Sequence, residues 1–296
     1  MSSTIKIGKE DAKKRLDVFL TKKFKDNSRN FWQKRIKGGE VLLNKEVATP
    51  HIALKEGDKI TIKEYKEVIK KNKFKYKLLA ENKDYLIVEK PAGMLTHRTD
   101  SEEGLADLLV KDYPEIESVG EKYRWGIVHR IDRDVSGILL IARTQKFFKH
   151  IKKQFKEREI KKIYLAVVYG KIEKPEDDIN FVIVRSKDGR MGARPTDTEG
   201  REAATHFDVI ESFINYTYLK IQILTGRTHQ IRVHMLAYGH PILGDRVYKV
   251  KKYNSDVCDR MFLHSYKIGF YDLTGKWTEY ESKLPKELKD CLKKLK

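Results

Sequence analysis

Five consecutive apolar residues, Ile138-Leu139-Leu140-Ile141-Ala142, follow directly on His129-Arg130-Ile131-Asp132-Arg133-Asp134-Val135-Ser136-Gly137. A run that short and that apolar is expected to form a buried strand. The charged segment then lies at the strand's mouth, with Asp132 held between Arg130 and Arg133. Neighbouring positive charge favours the ionised form of a carboxylate. An ionised carboxylate beside a cationic surface suits nucleophilic chemistry on a polyanion. The same residues would serve equally as a structural Asp–Arg pair at a strand end, and by themselves they leave both readings open.

The whole chain shares the basic bias. Its 296 residues carry 62 Lys and Arg against 43 Asp and Glu, a net charge of +19. That excess favours a polyanionic partner, nucleic acid before membrane, and the 10% aromatic content argues against a disordered basic tail. Cys258 and Cys291 stand far apart without a CxxC partner, so neither a disulfide framework nor a zinc cluster is expected. The histidines show no HExxH spacing, and His229 and His234 are off the i,i+4 register of a helical metal site. The N-terminus lacks the apolar core of a signal peptide, and the apolar runs are too short to cross a bilayer. A soluble, reduced, cytoplasmic protein is the expectation.

The first 64 residues read as a separate module. Lys14–Leu20 has helical amphipathic spacing, and Asn27-Ser28 is an N-cap candidate for a second helix over Arg29–Ile36 that Gly38-Gly39 ends. Val41-Leu42-Leu43, the turn Asn44-Lys45, the turn Gly57-Asp58 and Lys59–Ile62 then suggest short strands. Residues 65–77 form a lysine-rich linker whose end, with Phe74 and Tyr76, enters the next domain as a strand.

From residue 78 to 296, apolar or β-branched segments recur at 85–88, 137–142, 163–168, 181–184, 203–209, 218–224 and 262–270. Two helices interrupt them. One has Thr144 as N-cap and Phe147, Ile151 and Phe155 on one face; the other runs from about Thr228 to Tyr238 and stops at Gly239. A C-terminal amphipathic helix follows Pro285 through Leu288, Leu292 and Leu295. Many strands with few helices between them predict an α+β domain with a largely antiparallel, mixed sheet flanked by helices.

Four ordered segments carry a family resemblance: Lys90-Pro91-Ala92-Gly93-Met94-Leu95-Thr96-His97; the HRIDRDVSG segment; Lys161-Lys162-Ile163-Tyr164-Leu165-Ala166 with Gly170; and Leu224-Thr225-Gly226-Arg227-Thr228-His229-Gln230-Ile231-Arg232-Val233-His234 with Pro241-Ile242-Leu243-Gly244-Asp245. Together they resemble the pseudouridine synthases of the RluA-like family. Residues 13–64 are similar to the ribosomal-protein-S-four-type (αL) RNA-binding domain, with Lys45 in place of a turn glycine. Ile131 and Val135 depart from the family's usual Leu and Thr without touching the carboxylate.

The resemblance implies isomerisation of uridine in structured RNA, by cleavage of the C1′–N1 bond and reattachment through C5, with no cofactor and no metal. It assigns Asp132 as the catalytic aspartate, Arg227 as its arginine partner and Tyr164 as the residue packing on the target uracil. Attack on the sugar, addition to the base and removal of a sugar proton all stay open as the role of Asp132. Arg130 matches the side chain that enters the space a flipped base vacates, or else contacts a phosphate. Lys90, His129 and Arg232 are expected near the RNA backbone, and Arg15, Ser28, Arg29, Lys34 and Arg35 form the expected RNA face of the N-terminal module. His229 and His234 fit a core or helix face equally well.

Two other classes compete with this reading. A non-catalytic RNA-binding protein would be expected to lack Asp132 or Tyr164, and both are present. A small-molecule glycosidase would need a second carboxylate, for which only Asp134 is near, and +19 suits a small ligand poorly. Large-subunit ribosomal RNA is the expected substrate, with transfer RNA as the alternative. No membrane or protein partner is implied, and a monomer suffices.

Overall fold

Hydrophobic spacing builds the N-terminal unit around two short helices. In the computed structural model, which describes residues 3–25, 27–63, 70–186, 188–251, 253 and 257–295, the chain divides into Met1–Lys71 with Thr99–Glu102, and Asn72–Arg98 with Glu103–Lys296. The first unit contains β1 (Ser3–Lys6), α1 (Leu16–Lys23), α2 (Arg29–Lys37), β2 (Val41–Leu43), β3 (Glu46–Val47) and β4 (Lys59–Ile62), with antiparallel sheet order β1-β4-β2-β3. Leu16, Leu20, Ile36, Val41 and Ile60 are wholly buried at its centre. Ser28 caps α2 by accepting from the Phe31 amide at 3.1 Å, which satisfies one of the helix's open N–H donors. Asn44 and Lys45 both take left-handed backbone angles, φ 52° and 74°, the geometry of a two-residue hairpin turn. Lys45 therefore makes the turn that a glycine would make with less strain. Residues 65–69 of the expected linker lie outside the described residues.

The larger unit is a ten-stranded sheet with helices on both faces. Its elements are β5 (Lys77–Glu81), β6 (Tyr85–Lys90), α3 (Leu105–Asp112), β7 (Ser136–Ala142), α4 (Gln145–Glu157), β8 (Lys161–Tyr169), β9 (Glu176–Arg185), β10 (Met191–Arg194), β11 (Arg201–Ser212), β12 (Tyr216–Ile223), α5 (Gln230–Ala237), β13 (Leu263–Tyr271), β14 (Trp277–Glu281) and α6 (Lys286–Lys293). The strand order is β10-β9-β11-β12-β8-β13-β7-β6-β5, with β14 on β13. The β7–β13 pair is parallel and the other pairs are antiparallel.

Every residue of β7 is buried, because the sheet centre is covered on both faces. Alternation divides its side chains. Leu139 and Ile141 join the core under α3 and α5, whereas Ile138, Leu140 and Ala142 join the one under α4. Tyr164, Ala166 and Val168 of β8 face the α3/α5 side; Leu165, Val167 and Tyr169 face α6.

Three features depart from the sequence expectations. Helix α3 was not anticipated; the Gly104 amide donates to Asp107 at 2.8 Å and starts it, while Leu105, Ala106 and Leu109 pack into the core. Strand β9 begins at Glu176 rather than Phe181, because pairing with β11 extends through acidic residues that have little strand preference of their own. Cys258 and Cys291, expected to be unpaired thiols, are joined as a disulfide with a Cα–Cα separation of 5.4 Å. The packing of α6 against the Cys258 segment brings together residues 33 apart in sequence.

One glycine fixes the approach to the charged segment. Gly137 has φ +122°, and a Cβ there would lie 2.2 Å from the Ser265 carbonyl oxygen on β13. Gly137→Ala should therefore cost about 3 kcal/mol or more, whereas Gly192→Ala, in open space, should change stability by less than about 0.5 kcal/mol. Urea unfolding of the two variants checks this, and equal stabilities would contradict it.

Candidate active site

The HRIDRDVSG segment leaves the sheet ahead of β7 as a loop, and buried groups from the KPAGMLTH segment hold that loop in place. Lys90 is wholly buried, and its Nζ donates to the carbonyls of Met94 (2.8 Å), Pro91 (3.0 Å) and Arg133 (3.0 Å). The Thr96 hydroxyl donates to Ile131 O at 2.9 Å, and the Gly93 amide to Arg133 O at 2.8 Å. Burial, with Arg260 nearby, pulls the Lys90 ammonium down to about 7. The expectation that Lys90 meets the RNA backbone is thereby corrected: three carbonyls use its donors inside the protein.

His129 is corrected on similar grounds. Its Nε2 accepts from the Leu140 amide at 3.0 Å, and its ring stacks on Phe155. Pairing of β7 with β13 covers only Ser136 and Gly137, so His129 satisfies a strand donor beyond that point. Burial pushes its imidazole down to about 3, a neutral ring suited to accepting that hydrogen bond.

Asp132 is fixed from the other side of the cleft by α5. Arg232 Nη1 donates to Asp132 Oδ2 at 3.1 Å. The same guanidinium grips Asp245 with Nε at 2.6 Å and Nη2 at 2.9 Å. Asp245 Oδ1 also accepts from the amides of Val247 (2.9 Å) and Tyr248 (3.0 Å), and the Tyr248 ring lies 4.8 Å from the guanidinium. Burial alone would lower the Arg232 pKa, but Asp245 and Asp132 more than offset it and hold the charge. Arg232 thus bridges a buried carboxylate and a cleft carboxylate through opposite edges of one planar group.

The expected partnership of Arg227 with Asp132 is not what the structure contains. Arg227 lies in the turn before α5, where its Nε donates to Glu202 O at 3.0 Å and its amide to Gln230 Oε1 at 3.0 Å. It lines the cavity without pairing with Asp132. Arg232, expected to contact RNA, is instead 5% exposed and occupies the partner's place, because one turn into α5 its side chain reaches between Asp132 and Asp245. In the sequence, the one signal for Asp245 is its place after Gly244. Gly244 has φ +76°, and a Cβ there would sit 2.4 Å from Arg260 O.

His229 lines the cleft and is backed by the buried Tyr248. The Tyr248 hydroxyl accepts from the Met191 amide at 3.2 Å and lies 2.7 Å from His229 Nδ1. His229 Nε2 lies 3.8 Å from Asp132 Oδ2. Burial lowers the His229 pKa against the pull of Asp132. His234, by contrast, is wholly buried against Phe181.

The cavity is open to solvent on one side and is lined by Arg130, Asp132, Tyr164, Arg227, His229 and Arg232 over the apolar Ile131, Val135, Ile223 and Leu263. Tyr164 is 6% exposed, and burial raises its phenol so that it stays protonated. Arg130 is exposed at the mouth. An apolar wall, a fixed carboxylate and cationic side chains can together seat a planar base with its sugar beside Asp132.

In the N-terminal unit, Asp17 is buried beneath exposed cations. It accepts from Gln33 (2.6 Å), Arg29 (2.9 Å) and both Arg15 nitrogens (3.0 and 3.1 Å). Burial would raise its carboxyl, but the hydrogen bonds from Gln33, Arg15 and Arg29 bring it down to about 2. Arg15 also meets His51. Arg29 and Lys34 are exposed, as is Ser28, whose hydroxyl oxygen is engaged as the α2 cap. Arg35 is corrected: it is 8% exposed and donates to Glu40 (2.8 Å) and Lys63 O (2.7 Å), so it braces α2 rather than facing RNA.

Asp245→Asn should destabilise the chain by about 3–5 kcal/mol, because it leaves a buried guanidinium short of counter-charge. Urea unfolding measures this; a loss under about 1 kcal/mol would mean that Arg232 is held by other groups.

Residues 84–237 match the RNA pseudouridylate synthase family, and residues 14–60 match the S4 domain. An uncharacterized RNA pseudouridine synthase of Aquifex aeolicus is 33% identical, covering 98% of this chain and 96% of that protein. The ribosomal large subunit pseudouridine synthase C of Vibrio parahaemolyticus is 29% identical, covering 97% and 95%. Among solved structures, human RNA pseudouridylate synthase domain containing 1 superposes with a TM-score of 0.61 at 28% identity, over 73% of this chain and 87% of that one. With these similarities added to the cleft geometry, the chain belongs to the RNA pseudouridylate synthase family and carries an S4 RNA-binding domain at its N-terminus.

Proposed function

We propose that this enzyme isomerises specific uridines of large-subunit ribosomal RNA, with Asp132 as the reacting carboxylate. The observation that carries the reading is the chain Asp245–Arg232–Asp132, which presents one oriented carboxylate in a cleft walled by Tyr164. Support for the substrate comes from the name of the Vibrio relative and from the S4 domain.

Cleavage of the C1′–N1 bond needs a negative group positioned against an electron-poor sugar carbon or base, and a preoriented ion pair supplies it without reorganisation at the moment of reaction. The uracil then rotates and bonds through C5; the C5 proton leaves and N1 gains one, so atoms balance with no cofactor. Tyr164, kept as a neutral phenol, gives the ring a flat surface to rotate against. A target uridine in a helix must leave its stack, at a cost of a few kcal/mol. Arg130, exposed at the cleft mouth, is placed to enter the gap or hold the flanking phosphate.

Asp132→Asn keeps the shape and removes the charge. Turnover should fall by at least about 1,000-fold, while RNA affinity changes by less than about threefold, since phosphate contacts dominate binding. Carbodiimide-dependent reverse-transcription stops on ribosomal and transfer RNA from cells lacking the protein read the activity and its target together. Stops with wild type in transfer RNA alone would overturn the ribosomal assignment, and equal stops with both proteins would remove Asp132 from its role.

A further inference from the structure

The back of the catalytic sheet carries a charged surface that the cleft does not use. Helix α4 buries Phe147, Ile151 and Gln154 against the sheet, on the face opposite Tyr164 and α5. Lys146, Lys149, Lys152, Lys153 and Lys156 are all exposed on it. At 100° per residue they fall within one sector directly opposite the buried side and run for about 15 Å along the axis. The one ion pair among these five, in the described residues, is Lys153 with Glu157, at 3.9 Å.

Keeping a helix soluble does not require this arrangement. The solvent side of α6 interleaves Lys286, Lys289 and Lys293 with Glu287 and Asp290, and Lys293 pairs with Asp290. On α4, lysines instead stand three and four residues from other lysines, which is unfavourable for an isolated helix. An unbalanced stripe of this kind is relieved by a polyanion.

An aromatic pair is anchored to the same helix through Gln154 and His150. Gln154 clamps the Tyr271 backbone with hydrogen bonds of 2.8 and 2.9 Å, and His150 meets the same carbonyl at 2.9 Å. The Tyr271 and Trp277 rings stand 4.9 Å apart in an edge contact, and both are about two-fifths exposed, 43% and 38%. Lysines beside exposed aromatic rings combine backbone attraction with a surface on which an unpaired base can stack.

We infer that α4 with Tyr271 and Trp277 forms a second RNA-contact surface, the lysines meeting the backbone of a helical segment of the substrate RNA other than the one that delivers the target uridine and the rings an unpaired base flanking that segment. The inference rests on the function proposed above and adds a substrate requirement: RNA long enough to reach both faces of the sheet. Lysines suit this role because a duplex backbone is met as a line of charges without base readout.

The test compares the full-length chain with Lys149→Gln/Lys152→Gln/Lys153→Gln/Lys156→Gln, in which glutamine keeps helix preference, and with the control Lys286→Gln/Lys289→Gln/Lys293→Gln. The probes are an unmodified large-subunit ribosomal RNA transcript and a short oligouridylate. The α4 variant should bind the transcript about tenfold more weakly at physiological salt, with a log–log salt slope shallower by about two to four. Its affinity for the oligouridylate, and both affinities of the α6 control, should stay within about twofold of wild type. Circular dichroism confirms that the helices are retained. Unchanged transcript affinity and slope in the α4 variant would overturn the inference. So would an equal loss on both probes. Pseudouridine formed by wild type on the transcript is scored separately, so failure of the proposed function shows as binding without product.

Discussion

The bridge from Asp245 through Arg232 to Asp132 is the interaction on which the rest of the site depends. It joins three elements that are remote in sequence: the loop before β7, helix α5 and the turn after Gly244. A carboxylate with the role proposed for Asp132 gains from being fixed before the substrate arrives. Here the fixing group is itself fixed, since Asp245 holds Arg232 by two of its nitrogens and is held in turn by two backbone amides. Only one edge nitrogen of the guanidinium is left for Asp132, which it meets through Oδ2.

The loop that carries Asp132 is restrained just as firmly from behind. Lys90, Thr96 and Gly93 take up the carbonyls of Ile131 and Arg133, and Gly137 allows β13 to run against β7 at a distance no side chain would tolerate. His264 shows how far this bracing extends. Its Nδ1 lies 2.8 Å from the Ser136 hydroxyl and its Nε2 2.9 Å from Ser282 O, while Arg260 donates to the same hydroxyl at 2.8 Å. Sites built on rigid elements with supporting hydrogen bonds hold their geometry better than sites on free loops.

Elements with a strong local signal were legible in the sequence. The Thr144 cap with Phe147 and Ile151 marked α4, Ser28 marked α2, and the apolar run after Gly137 marked β7. Helix α3 was not legible, because its start depends on a side-chain cap from Asp107 to a glycine amide rather than on a Ser or Thr cap. The charged residues were harder. Charge in a sequence suggests solvent or a polyanion, yet Lys90, Arg35 and Arg232 are buried because carbonyls and carboxylates from distant segments meet them. Two arginines five residues apart near a helix start both fit the partner of Asp132 on spacing alone; only the position of Asp245 in space distinguishes them. The cysteine pair is hidden in the sequence for a similar reason, since a separation of 33 positions conceals the packing of α6.

The most direct measurement is the single-turnover rate constant, at saturating RNA, for Arg232→Lys beside Arg227→Lys. Lysine keeps the charge but cannot bridge two carboxylates through a planar fork. The bridge predicts a fall of about 100-fold for Arg232→Lys and a change of less than about threefold for Arg227→Lys, whose side chain donates to the Glu202 carbonyl rather than to Asp132. The reverse order, with Arg227→Lys slow and Arg232→Lys near wild type, would contradict the assignment of Arg232 as the group that positions Asp132.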